Sequence, residues 1–121
     1  MAKSTSTTQQ QAVLQKIYRD LIVGNHILHY HDVLDAFGHI SVRHPFKPDV
    51  FLMSKDAAPG TVSSPADLVE YSVEDARPVD PNASRGYVER PIHSECYKRF
   101  PGVQSIAGMT TGLCCHVHRQ P

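Results

Sequence analysis

Tryptophan is absent from these 121 residues, cysteine occurs only three times, and no stretch comes near the roughly 20 consecutive apolar residues of a membrane span. Net charge is absent too. Twelve Lys and Arg balance twelve Asp and Glu, which leaves no sustained field to gather nucleic acid or an anionic membrane surface. Any anion the chain binds has to be held by local donors. The cysteines Cys96, Cys114 and Cys115 are odd in number and two are adjacent, a geometry that disfavours pairing, so reduced thiols are expected. The first residues are rich in Ser, Thr and Gln without the apolar core of a secretory signal, which makes the cytoplasm the expected compartment.

What is present suits a folded domain: 40% hydrophobic and 20% charged residues, in a length that supports one domain. Residues 1–9 are small and polar without apolar periodicity and read as a disordered tail. From residue 10 to 30, Val13, Leu14, Ile17, Leu21, Ile27 and Leu28 recur at helical spacing, which predicts an amphipathic helix. His26, His29 and His31 close it and read as end-capping surface groups. Two short strands follow, Ile40 to Arg43 and Val50 to Ser54, joined by a stretch with two prolines. Ser64-Pro65-Ala66-Asp67 predicts a short helix start, and Val69 to Val73 another strand. Residues 75–86 read as loop. A further helix begins near Pro91, with Ile92, Cys96 and Phe100 as its apolar stripe, and Val103 to Ala107 reads as a buried strand. Helices alternating with strands point to an α/β or α+β sandwich.

Two segments carry chemistry. In Gly38-His39-Ile40-Ser41-Val42-Arg43 a glycine leading into a strand lets backbone N–H groups approach an anion, with a hydroxyl and a guanidinium as added donors. By itself this is equally a glycine turn opening a strand. In Glu89-Arg90-Pro91-Ile92-His93 a carboxylate sits just ahead of a helix N-terminus, where its charge is favoured, and an imidazole follows one turn on. A carboxylate there can move a proton on and off carbon when a cation stabilises the neighbouring oxyanion. Read alone, the pair is a capping Glu89 and a packed His93.

Taken together and in order, these segments, Ala36-Phe37, Phe51-Leu52-Met53-Ser54 with Ala58-Pro59, Asp67-Leu68, and Ser94-Glu95-Cys96-Tyr97 through Pro101 resemble the class II aldolase/adducin family, over residues 10–107. The pattern is most similar to its decarboxylase-like branch of pathway enzymes. The resemblance implies an α/β/α sandwich with a mostly antiparallel central sheet, commonly tetrameric, and a lyase that holds a divalent metal on three histidines: zinc first, with manganese or iron in some branches. It places Glu89 on the acid/base carboxylate. Gly38, His39 and Ser41 fall on the loop that holds the substrate's anionic group, with Arg43 supporting it. Sugar-phosphate aldolases carry Asn where this chain has His39, which leaves room for a carboxylate in place of a phosphate as the anion of a small carboxylated or phosphorylated carbonyl compound.

The resemblance ends near residue 107. Where the family has a His-x-His pair of metal ligands, this chain has Gly108-Met109-Thr110, and residues 108–121 read as a divergent tail of a C-terminally truncated domain. That tail holds Cys114-Cys115-His116-Val117-His118, whose His116 and His118 are weak metal candidates by composition. Two functions follow: a metal-dependent aldolase or decarboxylase acting on a small anionic carbonyl compound, impaired in this chain, or a non-catalytic, adducin-like scaffold.

Overall fold

The computed structural model describes residues 2–83, 86–109 and 112–117. Its elements are helix α1 (Ala2–Tyr30), strands β1 (His39–Arg43), β2 (Val50–Ser54) and β3 (Leu68–Ser72), helix α2 (Arg90–Arg99), and strands β4 (Val103–Met109) and β5 (Gly112–Val117). The strands form one antiparallel sheet in the order β3-β2-β1-β4-β5. The two short extended segments on either side of the proline-rich turn pair as expected, Ser41 opposite Met53 and Arg43 opposite Phe51.

Residues directly opposite share a face. His39, Ser41 and Arg43 therefore project to the same side as Phe51 and Met53, where α2 lies and where His93 and Tyr97 bond to His39 and Ser41. Ile40 and Val42 project to the other side, where α1 passes with Gly24 close to the Ile40 side chain. The result is an α/β/α sandwich whose central strand is β1. All five residues of β2 are buried, as a strand covered on both faces requires. The main core, Phe51, Met53, Tyr71, Tyr97, Val103 and Ile106 among others, fills the α2 side.

Three features differ from what the sequence pattern suggests. Helix α1 is drawn from Ala2, earlier than residue 10 where its apolar spacing begins. Within it Leu21 and Asn25 are buried, while Val13 and Ile27 stay exposed, because only one face of its C-terminal half meets the rest of the fold. On α2 the stripe Ile92, Cys96, Phe100 is not the inward face. Ile92 and Phe100 are exposed, Cys96 is half-buried, and the helix instead turns His93, Ser94 and Tyr97 to the sheet. That rotation is set by polar partners on β1. Finally, residues 112–117 form β5, a hairpin partner of β4 with Met109 opposite Gly112.

Candidate functional site

The site grows from the meeting of β1 with the N-terminal end of α2. Gly38 is required at the entry to β1: a β-carbon there would stand 2.8 Å from the Leu34 β-carbon. The turn is tied by the Gly38 N–H donating to the Asp35 carbonyl at 3.1 Å, and by the Tyr87 hydroxyl donating to the Phe37 carbonyl at 2.8 Å. Residue 39 is thereby aimed at α2.

His39 is buried, its Nδ1 2.6 Å from Nε2 of His93. Ser41, two residues on, presents its hydroxyl 2.5 Å from Nδ1 of His93 and 2.8 Å from the Tyr97 hydroxyl. The match is one of periods, since i and i+2 on a strand meet i and i+4 on a helix. His93 is sealed from solvent between these groups and the Phe51 ring. Burial first, and then the His39 imidazole, push it down to about 3. It is therefore a neutral ring, with one nitrogen donating and the other accepting. His39 is also lowered by burial, against the opposing pull of Glu89 and Asp35.

Arg43 belongs to the frame. Its guanidinium donates to the carbonyls of Val103 (2.9 Å), Pro48 (2.8 Å) and Tyr97 (2.9 Å) and lies 4.7 Å from the centre of the Tyr97 ring. It clamps the end of α2 to β4 and the β1–β2 turn. Ser41 has no exposed surface, so its hydroxyl serves His93 and Tyr97 rather than a ligand.

Glu89 stands at the N-cap of α2, exposed, with no capping bond from its side chain. Its charge acts on His39 and on Tyr87, which places it at the same corner as the glycine turn at Gly38. The structure thus gathers Glu89, Gly38, His39 and Ser41, with Arg43 behind them. The glycine and glutamate segments stand out in the sequence. The roles of Tyr87, Tyr97 and Gly108 do not, and the one local signal was the four-residue spacing of His93 and Tyr97.

Gly108 lies opposite His39 in the sheet, and a β-carbon at 108 would fall 1.8 Å from Cε1 of the His39 ring. The imidazole thus occupies the space a side chain at 108 would need. Among the described residues no group of three or more His, Cys, Asp or Glu is placed to hold a metal ion, and His39 and His93 spend nitrogens on each other. The backbone puts His116 opposite Ser105, three residues along β4 from Gly108, or about 10 Å of strand. His118 lies outside the described residues. Among the described residues the donors do not fit a divalent cation beside Glu89.

Comparison with known proteins agrees with this architecture. Residues 19–118 match the model of the class II aldolase and adducin N-terminal domain. Over 88 residues the chain is 59% identical to the decarboxylase tropJ of Talaromyces stipitatus, covering 73% of this chain and 33% of that protein. An L-fuculose 1-phosphate aldolase from Glaciozyma antarctica superposes with a TM-score of 0.67 at 20% identity, over 92% of this chain and 43% of that one. An L-fuculose-1-phosphate aldolase from Thermus thermophilus gives 0.59 at 26% identity, over 77% and 44%. The chain therefore spans about a third of the curated relative and under half of these structures. No described helix is long and apolar enough to cross a membrane.

Proposed function

The chain belongs to the class II aldolase and adducin family, and on that footing we propose that it is part of a carbon–carbon lyase, an aldolase or decarboxylase, acting on a small anionic carbonyl compound. The observation that carries the reading is the position of Glu89: an exposed carboxylate at a helix N-cap, with its charge directed onto the His39 corner of the sheet. A carboxylate at the helix mouth, beside donors that can take an oxyanion, has what is needed to remove a proton next to a carbonyl or to deliver one after carbon dioxide leaves. The likeness to a decarboxylase at 59% identity supports the decarboxylating form of that chemistry, and a carboxylate as the anion agrees with it.

The divalent metal implied by the resemblance, zinc or else manganese or iron, finds no donor set among the described residues, and no step of this reading runs through it. Homo-oligomers are the assembly that the family suggests.

Release of labelled carbon dioxide from carboxyl-labelled 2-oxo and 3-oxo acids, together with solvent deuterium exchange into the product, tests the proposal. Wild type is expected to turn over at least one of them, and Glu89→Gln to lower the rate by about 100- to 10,000-fold. Turnover that survives Glu89→Gln would sink the assignment. Complete inactivity of the wild-type chain favours the second reading, a non-catalytic scaffold of the adducin kind, which Gly108-Met109-Thr110 standing in place of the His-x-His pair supports.

A further inference from the structure

Tyr87 is bonded through each of its polar groups, and each bond leads to a different part of the fold. Its N–H donates to the Tyr71 hydroxyl at 3.2 Å, and that hydroxyl donates in turn to the Ser54 carbonyl at the end of β2 at 3.0 Å. Its own hydroxyl donates to the Phe37 carbonyl in the glycine turn. Its carbonyl accepts from Nη1 of Arg90 at 2.9 Å. Glu89 follows two residues after Tyr87, so whatever fixes Tyr87 fixes where the carboxylate stands relative to Gly38.

Arg90 closes this arrangement from the far side. Its Nε donates to the Ala76 carbonyl at 2.8 Å, so one planar guanidinium bridges the turn that follows β3 and the segment that leads into α2. The backbone is adapted at both ends of the bridge. Ala76 is buried at φ 63°, in the left-handed region that an alanine avoids, within a turn closed by its N–H to the Ser72 carbonyl at 2.8 Å. At residue 86 a β-carbon would stand 2.9 Å from the Tyr71 ring and 3.2 Å from Cδ of Arg90, so glycine leaves the space that the arginine stem fills.

We propose that Arg90 is a positioning residue of the site: through the Tyr87 carbonyl it fixes the separation between the Glu89 carboxylate and the glycine turn, the space in which a substrate's reacting carbon has to sit. The consequence for turnover rests on the Glu89 reading, while the bridge from Ala76 to Tyr87 stands on geometry alone. A displacement of about 1 Å at a proton-transferring group is enough to cost about 100-fold in rate. Lysine cannot replace the guanidinium, because a point charge on a flexible stem does not hold two carbonyls in one plane.

Amide hydrogen exchange of the full chain reads the bridge without any turnover. In Arg90→Ala the Tyr87 amide is expected to exchange about tenfold faster or more, with Phe51 and Met53 in β2 unchanged. Millimolar free guanidinium is expected to restore the protection, and Arg90→Lys is expected to lack it. Unchanged exchange at Tyr87 overturns the proposal. A rise spread evenly over the sheet and insensitive to guanidinium also overturns it, since that marks a residue that only stabilises the fold. Should Arg90→Ala fail to fold, Gly86→Ala keeps the guanidinium and crowds its stem, with the same local loss expected at Tyr87 and its absence counting against the proposal. Where turnover is measurable, Arg90→Ala is expected to lower kcat about 100-fold with little change in KM and to recover with guanidinium, and a kcat equal to wild type overturns the positioning role. In a chain without turnover the lyase reading fails, and the exchange result alone decides the bridge.

Discussion

Glu89 and His93 lie one turn apart on the same helix end, yet their surroundings are opposite. Glu89 is exposed at the N-cap without a bond from its side chain, whereas His93 is fully buried and bonded at both ring nitrogens. The group proposed to move a proton is kept at the surface, within reach of a ligand. The group behind it is held neutral and fixed. The difference teaches that the buried half of this corner is built as a frame, with a polar network in the place where a helix usually packs apolar side chains, and that disturbing the frame should cost stability while disturbing the rim should cost only activity.

The largest expected effect is at the deepest charge. Arg43→Ala withdraws donors from the carbonyls of Val103, Pro48 and Tyr97, and a loss of about 3–5 kcal/mol in urea unfolding is expected. A loss below about 1 kcal/mol would show that the frame is not held by this clamp. Next is Gly108→Ala, which drives a methyl group into the His39 ring and should cost about 1–3 kcal/mol. In a His39→Ala background most of that cost should vanish, and equal costs in both backgrounds would break the proposed interlock.

The frame also sets a pH dependence. His93 is pushed from 6.5 down to about 3 in the folded protein, and burial lowers His39 and His44 as well. The unfolded chain therefore binds protons that the folded one refuses. The stability from His93 is complete above about pH 6.5 and is lost as pH falls toward 3, at up to about 1.4 kcal/mol per pH unit, and His39 and His44 act in the same direction. Unfolding free energies across this window should flatten in His93→Phe, and an unchanged slope would remove His93 as the source. The smallest effect belongs to the rim: Glu89→Gln should alter stability by less than about 0.5 kcal/mol, so a large loss would mean that Glu89 is structural after all.

Much of this architecture was legible in the chain. The paired strands of β1 and β2, the short turn at Pro65–Asp67, the start of α2 beside Pro91 and the two chemical segments follow from local rules that act over a few residues. The facing of α2 did not follow. Ile92, Cys96 and Phe100 have the better apolar spacing, and the helix still buries His93 and Tyr97, because their partners, His39 and Ser41, lie more than fifty residues away. No window of sequence contains both halves of that contact. The same distance hides Gly108, whose importance comes only from the imidazole standing across from it in the sheet.

Sequence by itself determined the alternation of helices and strands, the glycine that aims residue 39, and the placing of a carboxylate at a helix mouth, since each depends on neighbours along the chain. Only the tertiary structure decided that His39 and His93 bond each other, that Ser41 and Arg43 face inward, and that an imidazole fills the place of a side chain at 108. Those outcomes are fixed by burial and by which groups must share hydrogen bonds once water is gone, and such terms exist only when β1, α2 and β4 have come together.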